Sequence, residues 1–115
     1  MSISLMGEGT YRFEQIVVNR LIKPGVSGNF ALGIKDEKDE FVPKLIGRSD
    51  VDLRGELMAR AVTPPYPYFK FAIAMPPFAY EVECAGFHSY AGRLDNKTHP
   101  VSPEGMNLRC FLCGR

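Results

Sequence analysis

Three features of the sequence predict an α/β fold, with a small three-stranded, mainly antiparallel sheet flanked by helices and a zinc-stapled C-terminal segment. Two stretches, Gly28 to Ile34 and Tyr68 to Ala74, alternate apolar and small or polar residues with the period of a half-buried strand. Between them, Leu53, Leu57 and Ala61, joined by Met58 and Val62, form the apolar stripe of a helix. All three cysteines and both histidines then fall between Cys84 and Cys113.

A chain of 115 residues has interior enough for one core, so one domain is expected over 1–115, its main core at about 25–90 and the stapled extension at 84–113. A hydrophobic fraction of 45% with 23% charged residues describes an ordinary globular composition. The net charge of +1 gives no electrostatic argument for nucleic acid. No apolar run is long enough to span a bilayer, and Met1 to Glu8 lacks a basic region followed by an apolar one, so a cytoplasmic protein is expected.

In chain order, residues 1–7 read as disordered. The apolar residues from Tyr11 to Ile22 are too dense for their period to separate a strand from a buried helix. Lys23-Pro24-Gly25 ends whatever forms there. Phe30, Leu32 and Ile34 give the first predicted strand its buried face, and the charged run Lys35 to Glu40 reads as a hairpin tip. Phe41 to Gly47 returns as the second strand, in which Pro43 calls for an edge position or a bulge. Ser49-Asp50-Val51-Asp52 resembles a capping box at the head of the central helix, which Thr63-Pro64-Pro65 terminates. The third strand, Tyr68 to Ala74, leads to Pro76-Pro77, which suit the first turn of a helix carrying Glu81, Glu83, Cys84 and His88. Beyond Tyr90 the Gly, Asn and Pro content predicts a long irregular segment, which needs a staple in so small a domain.

The cysteines and histidines supply that staple. On a helix, Cys84 and His88 at i and i+4 project from one face, and Cys110-Phe111-Leu112-Cys113 is a Cys-x-x-Cys turn. Zinc takes thiolate sulfur and imidazole nitrogen in a tetrahedron, so Cys84, His88, Cys110 and Cys113 form the expected ligand set, closing a loop of 21 residues between His88 and Cys110. His99, in Thr98-His99-Pro100, is the rival fourth ligand. A buried Cys84, a surface His88 and two idle thiols are the plain alternative. A redox role for Cys110 and Cys113 is disfavoured, because such a motif opens a helix and here only Gly114 and Arg115 follow.

The order of elements, with Gly28-Asn29-Phe30 opening the first strand and Leu45-Ile46-Gly47 closing the second, resembles the GIY-YIG nuclease superfamily from Gly25 to about Pro100. Lys44 to Leu57 is similar to that family's second motif running into its first helix. The resemblance implies that Glu83 is a magnesium or manganese ligand and that Asn96 is the late asparagine. It also makes the cysteines and histidine a zinc-bound extension. Family members hydrolyse phosphodiesters with one metal ion, two tyrosines and a helix arginine. Here Phe30 and Leu45 occupy the tyrosine positions and Glu56 the arginine position. Arg54 is about 200 degrees around the helix from Glu56, whereas Arg60 is only about 40 degrees off and is the candidate replacement cation. A plain i, i+4 pair between Glu56 and Arg60 is the alternative.

These departures imply a protein that binds DNA or RNA through Lys44, Arg48, Arg60 and Lys70, with weak or absent nuclease activity. An active endonuclease using Glu83, Arg60 and Asn96, and a zinc-stabilised protein-interaction module, are the alternatives.

Overall fold

The computed structural model describes Gly7 and residues 9–114, so the expectation for the leading segment lies outside the described residues except at Gly7. The elements are β1 (Tyr11–Arg12), α1 (Gln15–Leu21), β2 (Gly28–Lys35), β3 (Phe41–Ser49), α2 (Leu53–Arg60), β4 (Tyr68–Ile73) and α3 (Pro76–Ser89). The strands form one antiparallel sheet in the order β1-β4-β2-β3. The sheet thus has four strands where three were expected. The extra one is β1, whose two residues pair with Phe69 and Tyr68. The dense apolar stretch after Arg12 resolves into the short helix α1.

Alternation along the strands sorts side chains onto two faces. Phe30 and Leu32 of β2 and Phe69 of β4 point toward α1 and α2, where they pack with Val18, Leu53 and Leu57. Ala31 and Ile46 point the other way, against Val82 and Phe87 of α3 and Leu94 beyond it. The sheet therefore separates α1 and α2 from α3, and this partition decides which functional residues can meet. Among the described residues no helix is long and apolar enough to cross a membrane.

Pro43 meets both of its expected conditions. β3 is an edge strand, and the register slips between Leu32, opposite Leu45, and Gly33, opposite Pro43, leaving Lys44 as the bulged residue. The charged hairpin tip is held by Asp36, whose Oδ1 accepts the amides of Lys38 and Glu40. Asp39 there takes a φ of 63°, a left-handed position that aspartate tolerates.

The capping box forms by half. Ser49 Oγ accepts the Asp52 amide at 2.9 Å, as expected. Asp52 does not reach back to Ser49. Its Oδ1 accepts the Gly25 amide at 3.1 Å. Backbone bonds from Gly25 and then Gly55 hold this carboxyl below the usual carboxylate range. The box thereby becomes a tie between the head of α2 and the turn before β2. Pro76 and Pro77 occupy the first turn of α3, where their missing amides leave no hydrogen bond unmade.

Residues 90–114 contain no helix or strand, and they are fastened to the body at several points. Asn96 is the first. Its Nδ2 donates to the Ile46 carbonyl at 2.8 Å and its Oδ1 accepts the Ile46 amide at 2.9 Å, while the Asp95 amide donates to Lys44. The segment thus completes the outer edge of β3 as a strand would. Asn96→Ala leaves both Ile46 groups without partners, and a loss of about 2 kcal/mol in the urea unfolding free energy is expected.

Candidate metal centre

α3 ends one residue after His88 and brings its ring to the C-terminal segment, which returns with His99, Cys110 and Cys113. One ligand atom from each of His88, His99, Cys110 and Cys113 lies within 4.8 Å of the others. His88 Nε2 is 3.3 Å from His99 Nε2 and 3.4 Å from Cys110 Sγ, and His99 Nε2 is 3.3 Å from Cys113 Sγ. A tetrahedral ion at ordinary Zn–N and Zn–S lengths requires N···N near roughly 3.3 Å and N···S near roughly 3.6 Å. The spacing fits a metal ion.

The tautomers agree with it. His99 Nδ1 is 2.7 Å from the Pro100 carbonyl and so carries the proton, which leaves the Nε2 lone pair facing His88 and Cys113. Phe87 holds both rings by its edge contacts, with centroids 5.5 Å from His88 and 5.3 Å from His99. At the turn, the Gly114 amide donates to the Cys110 carbonyl at 2.7 Å. Burial opposes ionisation of Cys110, but bonds from the Leu112 and Cys113 amides and contacts with His99 and Cys84 outweigh it, bringing the thiol down to about 6. Thiolate is the form a metal binds.

The set differs at one position from the ligands expected from helical spacing, with His99 standing where Cys84 was expected. Cys84 does share a face of α3 with His88, and both lie beside Cys110. Its short side chain ends inside a buried cluster with Tyr80 and Cys110, against Leu108. Burial pushes this thiol up to about 12, and Cys84 and Cys110 share a hydrogen bond. Tyr80, raised to about 12 chiefly by burial, hydrogen-bonds Cys84 from behind. The His99 signal available in the sequence was the proline after it, which holds the chain extended and offers the carbonyl that fixes the ring.

The structure does not gather the positions implied by the nuclease resemblance. Phe30 is fully buried in the core under α1 and α2, and Leu45 packs against the same cluster. Arg60 lies on that side, its guanidinium 5.1 Å from the Phe30 ring centroid and its Nε 2.7 Å from Glu56 Oε2. Glu83 lies across the sheet. It is 9% exposed and bound at 2.5 Å by Arg48 Nη1. Burial raises the Glu83 carboxyl above the usual range, and Arg48 only partly offsets this.

The expected phosphate-binding cations are similarly engaged. Burial works against the Arg48 charge, but bonds to Asp50 and Glu83 raise its pKa overall, and its remaining Nη2 donor reaches the Val101 carbonyl. Lys70 is buried beside Phe41, with its Nζ 5.9 Å from the ring centroid, and Lys44 is half-buried on the bulge. Asp50 and Tyr80, the neighbours that determine what Arg48 and Cys84 do, had no signal in the sequence beyond ordinary polarity. Compared with family models, curated proteins and solved structures, the chain matches none.

Proposed function

We propose that this protein is a zinc-stapled interaction module on a scaffold resembling the GIY-YIG nucleases, and that it performs no phosphodiester chemistry. Zinc is favoured by the donor set, two imidazoles and two thiols at tetrahedral spacing, with no water or carboxylate position built in. One observation carries the non-catalytic reading. Arg60 and Glu83, the residues that the resemblance would join around a phosphate, lie on opposite sides of the sheet, each in an ion pair of its own. Phe30 and Leu45 supply no hydroxyl to activate water.

The test is incubation of plasmid and oligonucleotide substrates with the zinc-loaded protein in magnesium and in manganese. No cleavage is expected; cleavage that disappears in Glu83→Ala would overturn the reading. Nucleic-acid binding without cleavage is the second reading, and the Cys-x-x-Cys turn is what favours it. Phe111 is 60% exposed between two candidate ligands and two residues after Arg109, a combination that can stack a base and meet a phosphate. That reading requires salt-sensitive binding of a single-stranded oligonucleotide, lost in Phe111→Ala.

A further inference from the structure

The three cysteines have unequal surroundings. Cys84 and Cys110 are buried in one cluster with Tyr80, packed against Leu108, whereas Cys113 is exposed. Cys84 and Cys110 share a hydrogen bond, which sets their sulfurs side by side between α3 and the C-terminal segment. Cys113 follows across a tight turn, closed by the Gly114 amide on the Cys110 carbonyl. Cys110 therefore has a thiol on either side, one sealed from solvent and one open to it. The proposed metal centre employs Cys110 and Cys113 and leaves Cys84 unused.

We propose that these cysteines form an oxidation site, in which Cys113 receives a peroxide and a Cys84–Cys110 disulfide finally replaces zinc as the fastening of the C-terminal segment. Exposure selects Cys113 as the entry point. Its sulfur attacks one peroxide oxygen: an S–O bond forms, the O–O bond breaks, and the other oxygen leaves as hydroxide and takes a proton to become water. The sulfur loses two electrons and the peroxide gains them. Cys110 then attacks the Cys113 sulfenic acid, forming an S–S bond and breaking the S–O bond, and the hydroxide released takes a proton as a second water. Neither sulfur now remains a thiolate able to hold a metal. Cys84 attacks Cys110, the sulfur it touches, and expels Cys113, whose exposed position suits a leaving thiolate. The Cys84 proton ends on Cys113, and no further electrons move.

The fold has already brought residues 84 and 110 together, so this last bond closes a long loop at no further cost in chain entropy. It ties Cys110 to α3 one turn before His88 and keeps Leu108 in place. The Cys113 end of the turn is set free, and that end carries the exposed side chains of Phe111 and Leu112. Peroxide thereby remodels the apolar tip of the module without detaching the segment. This is oxidation of the chain itself. Oxidoreductase chemistry calls for a helix after the Cys-x-x-Cys, and none follows among the described residues.

The inference rests on the proposed metal centre, and the experiment separates the two. Zinc-loaded protein is treated with hydrogen peroxide, quenched at intervals with an alkylating agent, digested without reduction and mapped by mass spectrometry, while a chromogenic chelator reads released zinc. A Cys110–Cys113 disulfide is expected first, giving way to Cys84–Cys110 with Cys113 alkylated and the zinc released. Amide exchange rises at 111–114 and stays slow at 102–110. Cys84→Ala, which binds zinc in the reduced state, stops at Cys110–Cys113, and its exchange on oxidation rises over the whole of 102–113. A final Cys110–Cys113 disulfide with Cys84 alkylated, or Cys113 carried to sulfinic acid with no disulfide formed, would overturn the oxidation site and leave the metal centre standing. Purified protein that contains no zinc would overturn both.

Discussion

Removing the proposed zinc with a strong chelator lowers the thermal midpoint by at least about 10 °C and loosens the segment beyond its Asn96 and Val101 anchors, from 102 to 113, while the sheet and its α1 and α2 core persist. The expectation follows from where the ligands sit. An ion held by His88, His99, Cys110 and Cys113 would join the end of α3 to a returning chain, and closing a loop of this length is worth about 3 kcal/mol, which for a domain of this size corresponds to a shift of roughly 10 °C or more. The apo state adds a further cost, because two imidazole nitrogens at 3.3 Å and the nearby thiols are left facing one another with no cation between them. Phe30, Leu32, Leu53, Leu57 and Phe69 make no use of the metal, so their cluster survives it. Amide hydrogen exchange with and without chelator, read residue by residue, checks both halves. Unchanged exchange over 102–113, together with purified protein that contains no metal, would remove the staple.

The elements legible in the sequence were those whose signals are local. Gly28 to Ile34 and Tyr68 to Ala74 alternate because the face under α1 and α2 takes large apolar side chains such as Phe30, Leu32 and Phe69, whereas the opposite face takes small or polar ones such as Ala31 and Lys70; the period is visible, but not that α3 buries the second face of β2 as well. Pro76-Pro77 marks a helix start by its own chemistry, and Pro43 marks an edge by the hydrogen bond it lacks. β1 was not legible, since two residues carry no period and its pairing with Tyr68 and Phe69 is a tertiary event. The site divides along the same line. That cysteines and histidines between 84 and 113 converge is legible in composition. Which four converge depends on where the irregular segment returns, and that is set by Asn96 on β3, by Val101 on Arg48 and by the Pro100 carbonyl on His99. The nuclease resemblance rests on a linear order of motifs, whereas the pairing of Glu83 with Arg48 and of Glu56 with Arg60 depends on which face of the sheet each residue meets.

Exchanging one ligand candidate for the other separates the two possible metal centres. His99→Ala reduces zinc affinity by more than about 100-fold, because the remaining three groups leave a position open. Cys84→Ala retains one zinc per chain and costs only the packing of one buried sulfur against Tyr80 and Leu108, about 1 kcal/mol. Cobalt substitution makes the distinction spectroscopic, since the sulfur-to-metal charge-transfer intensity counts thiolate ligands. The set His88, His99, Cys110 and Cys113 contains two thiolates, and the set with Cys84 in place of His99 contains three. Cys84→Ala therefore leaves that intensity unchanged if the buried thiol is only a neighbour of Cys110. A fall by about one third, with His99→Ala binding as tightly as the unaltered protein, would restore Cys84 as a ligand and leave His99 hydrogen-bonded to Pro100 with no metal to hold.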